Sequence, residues 1–343
     1  MQEQGAPAAA HGGDAAFPRP EEAGAVVVIG AGLVGLPAGL VFALAGYGVR
    51  LVEVDEERRA SVPQRVAALL GFMVDHGLVE PAAAEAAQPR LSAASSSESA
   101  AAPREGRAPA LVLEAVFENL ELKQRALAEA ERHIGADVIM CSVTSGLSIS
   151  AIAAELRHPE RFCGAHFWNP PHLIPLVEVI YGEHTTDRTA EAVFALMKFA
   201  GKTPVYVRKD VPGFIGNRLL HALQKEAMAV VASGVASAAD VDLVVTEGFG
   251  RRCAVLGPLT VCDLAGLDLI LDVDSYLIRD LDRSPEPSPL LVELVKEGKI
   301  GVRSLQGFHT WTEEEVRRTI ARRDAALIRA LQVDRQEKAA ADE

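Results

Sequence analysis

The 343-residue chain has no apolar run approaching a membrane span, which argues against a spanning helix. It has no basic leader followed by an apolar stretch. Met1 to Ala23 is instead rich in Ala, Gly, Pro and acid, and reads as a disordered tail rather than a secretory signal. Its four cysteines, Cys141, Cys163, Cys253 and Cys262, show no Cys-x-x-Cys spacing, so a reduced, cytoplasmic setting is the simplest expectation. Positive charge is also scarce: 34 Lys and Arg stand against 47 Asp and Glu, a net charge of −13. Neither nucleic acid nor an anionic membrane is then expected as the main partner, and an anionic substrate would need a local positive site.

Apolar material is ample, at 49% of residues, and the length suits about two domains. Ala25 to Ile29 is a short buried strand, Gly30 to Gly35 the turn after it, and Leu36 to Gly46 a helix with Pro37 in its first turn, where a missing N–H costs little. Val49 to Val54 is a second strand and Glu56 to His76 an Ala/Leu-rich helix. A third strand must lie in or beside the polar stretch Pro89 to Pro109. Leu111 to Val116, Leu120 to Arg132 and Asp137 to Val143 continue as strand, helix, strand. Such alternation implies a parallel, doubly wound α/β sheet.

After Asp210 the segments are mainly helical. Phe214 to Val231 carries an apolar stripe (Leu219, Leu220, Leu223, Ala227, Val230) and Gly234 suits its stop. Ser237 with Asp240 resembles a helix start, and Thr312 with Glu315 a capping box. The expected organisation is a tail over residues 1–24, a nucleotide-binding Rossmann-type domain over 25–209, and a smaller all-α domain over 210–343. The helices of the last look apolar on more than one face, so a homodimer through that domain is expected.

Gly30-Ala31-Gly32-Leu33-Val34-Gly35 is a G-x-G-x-x-G pattern placed after a strand and opening a helix, the context that gives the motif meaning. Gly30 permits the tight turn, Gly32 lets the backbone approach a pyrophosphate, and Gly35 lets helix and strand pack closely. The phosphates would sit on the helix N-terminus. Glu53, closing the second strand, is placed to accept from ribose hydroxyls and to repel a 2′-phosphate, so NAD is expected over NADP; Asp55 is its rival.

His166-Phe-Trp-Asn-Pro-Pro-His-Leu-Ile-Pro-Leu-Val-Glu178 places an imidazole and a carboxylate on one short segment. A His braced by a carboxylate is a general base for a hydroxyl proton. Glu178 lies in a strand-like run, and the Pro170-Pro171 turn could fold that strand back beside His166. Taken singly, a His near a turn is more often structural. His158, Cys163, His166 and His172 match no standard zinc spacing, so no metal is expected.

These motifs, with Val116 to Gln124, Ser142 to Ile149, Lys209-Asp-Val-Pro-Gly-Phe-Ile-Gly-Asn-Arg218, Gly257-Pro258 and Asp263 to Asp268, resemble the L-3-hydroxyacyl-CoA dehydrogenase family from about Ala25 to Trp311. The resemblance implies that His166 takes the proton of the substrate 3-hydroxyl and that Glu178 orients it. It implies that Ser145 hydrogen-bonds the substrate oxygen near the nicotinamide and Asn217 holds the substrate carbonyl. Asn169 would seat the nicotinamide ribose, Glu118 and Lys123 would line the cofactor cleft, and Arg303 would reach back to the cofactor. Singly, Ser145 reads equally as a helix N-cap, Asn169 and Asn217 as turn and cap residues, Glu118 with Lys123 as a solvated pair, and Arg303 as a surface cation.

The match departs from the acyl-CoA pattern at Val143, where Asn is usual, and in the helix after Glu53, which contains Pro63 and no clear grip for CoA. Arg58, Arg59 and Arg65 could substitute for it electrostatically. Asn169 to Pro175 and Gly248 to Pro258 are similar to the family branches that include lambda-crystallin, or L-gulonate 3-dehydrogenase, and that act on pyridine-type hydroxy compounds. Arg251 and Arg252 could then bind a substrate carboxylate. The expected activity is NAD-dependent oxidation of an L-3-hydroxyacyl thioester, as in fatty acid metabolism. The alternatives are a dehydrogenase of a small non-CoA hydroxy acid and an NAD-binding structural protein of crystallin type.

Overall fold

A computed structural model describes residues 17–103 and 106–342. Eight strands make one sheet: β1 (Val26–Ile29), β2 (Val49–Val52), β3 (Leu91–Ala94), β4 (Leu111–Glu114), β5 (Ile139–Ser142), β6 (Phe162–Phe167), β7 (Leu176–Ile180) and β8 (Thr203–Val207). Their spatial order is β3-β2-β1-β4-β5-β6-β7-β8. Every neighbouring pair is parallel except β6 with β7. The order runs outward in both directions from β1 and β4, so the crevice at their C-terminal ends is the switch point where such sheets bind ligands.

Both faces of the sheet are covered, which explains why β1 is apolar at every position. Val26 and Val28 join one buried cluster and Val27 and Ile29 the other, the period-2 alternation of a strand. The helices are α1 (Gly35–Leu44), α2 (Glu56–Asp75), α3 (Pro81–Ala87), α4 (Ser97–Ala101), α5 (Leu120–Glu131), α6 (Ile149–Ile152) and α7 (Asp187–Phe199). α1 is buried almost all round, as a helix apolar on every side must be. α2 buries only Val62, Val66, Leu70 and Met73, one stripe at helical spacing, and Asp55 caps it by accepting from the Arg58 N–H at 2.8 Å.

The chain divides into two compact units. One runs to Ile215 and takes the chain up again from Asp324; the other is Gly216–Arg323. The sequence-based boundary lay a few residues earlier and gave the whole C-terminal end to the helical domain. The structure corrects the latter: Ile328 is buried in the core of the first unit, with Leu331 against it. A second correction concerns the tail. Phe17 is buried, edge-on to Tyr47 at 6.2 Å, and the Tyr47 hydroxyl donates to the Pro18 carbonyl at 2.8 Å. Residues 17–24 are thus held on the fold; residues 1–16 of the expected tail lie outside the described residues.

The second unit contains α8 (Gly216–Ala232), α9 (Ala238–Glu247), α10 (Gly250–Cys253), α11 (Pro258–Ala265), α12 (Leu267–Leu277), α13 (Pro289–Lys296) and the start of α14 (Glu313–Asp342). Ser237 caps α9 by accepting from the Asp240 N–H, and Thr312 and Glu315 form the reciprocal capping box at α14. None of the helices α8 to α13 has a buried residue, and Leu219, Leu264, Leu267 and Leu271 are exposed. Among the described residues no helix is long and apolar enough to cross a membrane.

Candidate active site

The turn after β1 does with each glycine what a dinucleotide loop needs. Gly30 has φ +105°, and a Cβ there would meet the Ala115 carbonyl oxygen at 2.6 Å. A Cβ on Gly35 would lie 1.9 Å from the Gly30 carbonyl oxygen, so only glycine lets α1 approach the turn. A Cβ on Gly32 would meet nothing within 4 Å: that position is open, and space is left for a phosphate to approach the backbone. Ala31 is buried, Leu33 is exposed, and Val34 precedes α1 without a side-chain cap, so its uncapped N-terminus suits an anion. Glu53 follows β2, with Oε1 accepting from the Asp55 N–H at 3.1 Å, while Asp55 itself is spent on capping α2. These residues fit a dinucleotide.

A charged network lies under the neighbouring loops. Lys123 of α5 is fully buried, its ammonium 3.0 Å from Oε1 of Glu114 and 3.3 Å from Oε2 of Glu118, with a further bond to the Val116 carbonyl at 3.3 Å. Neither a solvated pair nor a cleft-lining lysine fits this; four protein oxygens surround the ammonium, the fourth being Oε2 of Glu114 at 3.2 Å. Glu118 also accepts from the Thr144 hydroxyl at 2.6 Å and the Ser145 N–H at 2.9 Å. Burial would raise the Glu118 pKa, but the Thr144 hydroxyl and Lys123 outweigh it and hold the carboxyl below its usual range. Lys123 therefore fixes Glu118, and Glu118 fixes the Thr144-Ser145 loop. Glu114, which also accepts from the Ser142 hydroxyl, has its carboxyl pushed up by burial. Ser145 is exposed at the C-terminal end of β5, and the cap of α6 is Ser148, so Ser145 is not that helix's N-cap.

The imidazole and carboxylate come together as cross-strand partners. His166 on β6 stands opposite Glu178 on β7 in the antiparallel register, and His166 Nδ1 is 2.7 Å from Glu178 Oε2. Both are buried. Oε2 also accepts from the Trp168 indole N–H at 3.3 Å, and Oε1 from the Ile215 N–H at 3.0 Å. With Nδ1–H donating to the carboxylate, Nε2 keeps a lone pair and can accept a proton. Phe214 packs its ring 5.8 Å from that of His166 and takes φ +53°, a conformation that costs a non-glycine residue energy and marks a fixed position. Asn169 is exposed in the connection, joined to Pro170 by a cis peptide bond.

Residues 25–211 match the sequence model of the 3-hydroxyacyl-CoA dehydrogenase NAD-binding domain, and residues 213–311 that of the 3-hydroxyacyl-CoA dehydrogenase C-terminal domain. The chain belongs to the 3-hydroxyacyl-CoA dehydrogenase family. It is an NAD-dependent oxidoreductase of that type. The 5-formyl-3-hydroxy-2-methylpyridine 4-carboxylate 5-dehydrogenase of Mesorhizobium japonicum is 39% identical over 218 residues, 64% of this chain and 71% of that one. A probable 3-hydroxybutyryl-CoA dehydrogenase of Bacillus subtilis is 34% identical over 290 residues, 84% of this chain and 98% of that one. The crystal structure of a 5-formyl-3-hydroxy-2-methylpyridine 4-carboxylic acid 5-dehydrogenase, described as an NAD+-dependent dismutase, superposes with a TM-score of 0.83 at 32% identity, covering 91% of this chain and 98% of that one.

Of the expected site residues of this family member, Asn217, Arg251, Arg252 and Arg303 belong to the second unit. Asn217 is half-buried in the first turn of α8. Arg251 forms an exposed pair with Glu247 one turn earlier at 3.0 Å, an arrangement of small energetic weight. Arg252 and Arg303 are exposed. Sequence reasoning missed Glu114, Thr144, Trp168, Phe214 and Ile215. It also missed the apolar side chains that follow β2 and β4, Val54 and Phe117, which are 80% and 75% exposed. Leu33, expected at the cofactor from its place in the glycine turn, is 83% exposed.

Proposed function

We propose that this chain oxidises a CH–OH group of a small hydroxy compound bearing a carboxylate, and runs the reverse reaction on the corresponding carbonyl compound. The buried His166–Glu178 pair is the observation that carries the reading. His166 Nε2 takes the hydroxyl proton, while Glu178 fixes the ring through Nδ1 and offsets the charge that develops on it. Trp168 and Ile215 hold both carboxylate oxygens, so the acid cannot turn away. Ser145 and Asn169 are assigned to the substrate oxygen and the nicotinamide ribose, and Asn217 to the substrate carbonyl. When bound, NAD supplies the acceptor for the hydride leaving the carbinol carbon. The turn from Gly30 to Gly35 takes its phosphates. Glu53 accepts from a ribose and disfavours a 2′-phosphate, and the exposed Leu33, Val54 and Phe117 offer apolar surface to a planar ring.

Arg59, a candidate for gripping CoA, donates instead to the Glu53 and Val54 carbonyls at 3.0 and 3.3 Å. The pyridine-carboxylate dehydrogenase likeness points the same way. The second reading is an L-3-hydroxyacyl-CoA substrate, as in fatty acid metabolism, favoured by the Bacillus subtilis relative. Formation of NADH with L-3-hydroxybutyryl-CoA, L-gulonate and a hydroxymethylpyridine carboxylate separates the two. Turnover with a non-CoA compound alone supports the first; turnover with the thioester alone replaces it with the second. We also propose that a second copy of the chain covers the exposed apolar residues of α8 to α12, which find no cover within the helical unit.

A further inference from the structure

Lys202 occupies the turn between α7 and β8, and its side chain lies largely out of solvent. Its ammonium donates to two backbone carbonyls, those of Pro171 and Ile174, the latter at 3.0 Å. Both belong to the β6–β7 connection, Trp168 to Pro175, which carries the chain from His166 to Glu178. A cavity of about 510 Å³ lies beside it. The charged or titratable residues lining that cavity are Glu80, His172, Asp334 and Arg335, with only apolar side chains from α1. Among the described residues no carboxylate comes within ion-pair distance of Lys202.

We propose that Lys202 is a positioning residue for the reaction, clamping the β6–β7 connection so that Trp168 and Glu178 stay aligned on His166. The inference rests on His166 acting as the base. A charge buried against carbonyls alone costs stability, and burial pulls the Lys202 pKa down to about 8. The sign follows: between about pH 8 and the ordinary lysine range the unfolded chain binds the extra proton, so stability rises with pH there. Fold stability alone therefore gives no reason for an ammonium at this place. What the charge provides is strength, since charge-assisted bonds are about twice as strong as neutral ones.

The test measures Tm, kcat, KM for NAD and the pH profile in the oxidation direction. The substrate is L-3-hydroxybutyryl-CoA, or the pyridine alcohol if only that turns over. Oxidation needs His166 uncharged, so loss of activity at alkaline pH cannot come from that imidazole. Wild type should lose activity around pH 8 as Lys202 loses its proton. Lys202→Met should keep or raise Tm, leave KM for NAD unchanged and lower kcat at least ~10-fold, the equivalent of about 1.4 kcal/mol in activation free energy. Lys202→Arg, charged throughout, should move the alkaline fall upward by more than about one pH unit. A Lys202→Met enzyme with wild-type kcat beside an inactive His166→Ala enzyme overturns the clamp. A flat alkaline profile in wild type overturns it without any variant. An active His166→Ala enzyme removes the base assignment instead and withdraws the clamp with it.

Discussion

At the scale of single residues, the site is a set of polar contacts converging on the Glu178 carboxylate, two from its own hairpin and one from Ile215 further along the chain. Glu178 needs to remain an acceptor on both oxygens, because His166, Trp168 and Ile215 all donate to it. Glu178→Gln places an amide N–H where one acceptor was, and a donor facing Nδ1 drives the imidazole hydrogen to Nε2, the wrong tautomer for a base. We expect kcat to fall by about 10²-fold, within the usual weight of general base catalysis, with KM for NAD unchanged. Steady-state kinetics at saturating NAD checks this, and a variant with wild-type kcat would show that the carboxylate does not orient the ring. The pairing was legible as an imidazole, a two-proline turn and a strand-like run. Glu114, Phe214 and Ile215 were not, since a buried glutamate or a bent backbone reads as nothing special until the contact that demands it is known.

At the scale of elements, mostly apolar runs revealed β1, β2, β4 and β5, as expected of strands covered on both faces, with Arg50, Glu114 and Ser142 as the polar interruptions. β3 reads Leu-Ser-Ala-Ala and lies at the sheet edge half-exposed, so composition hid it. β6 was missed for a different reason: its small residues, Cys163, Gly164 and Ala165, carry little strand preference, and packing decides the matter. A Cβ on Gly164 would approach Ile149 and Ile180 within 3 Å. β8 holds Pro204, which an edge strand tolerates. The glycine turn gives a prediction of its own. Gly32→Ala, with open space for its methyl group, should leave Tm within about 2 °C while weakening NAD by at least about tenfold, or about 1.4 kcal/mol. Gly35→Ala, whose Cβ would enter the Gly30 carbonyl, should lower Tm steeply. Thermal scans and NAD titrations of both variants suffice; equal loss of Tm would show that Gly32 is held by packing rather than by the cofactor.

At the scale of the whole molecule, the two units are stabilised differently. The sheet unit has two closed apolar clusters, one per face. In the helical unit α9 and α14 start with side-chain caps, yet none of α8 to α13 buries a residue. The stripe on α8 was legible from spacing, whereas what covers it is not a property of one chain's sequence pattern. A second copy of the chain as cover predicts a Tm that rises with protein concentration, because association stabilises by mass action. Leu271→Glu should abolish that dependence. A Tm independent of concentration, with a monomer in sedimentation, would contradict the dimer.

The assignment of His166 as the base is tested by His166→Ala, assayed for NAD binding and for turnover on the same preparation. NAD affinity is expected to stay nearly unchanged while turnover falls by ~10²–10⁴-fold. Wild-type turnover in that variant would contradict that assignment.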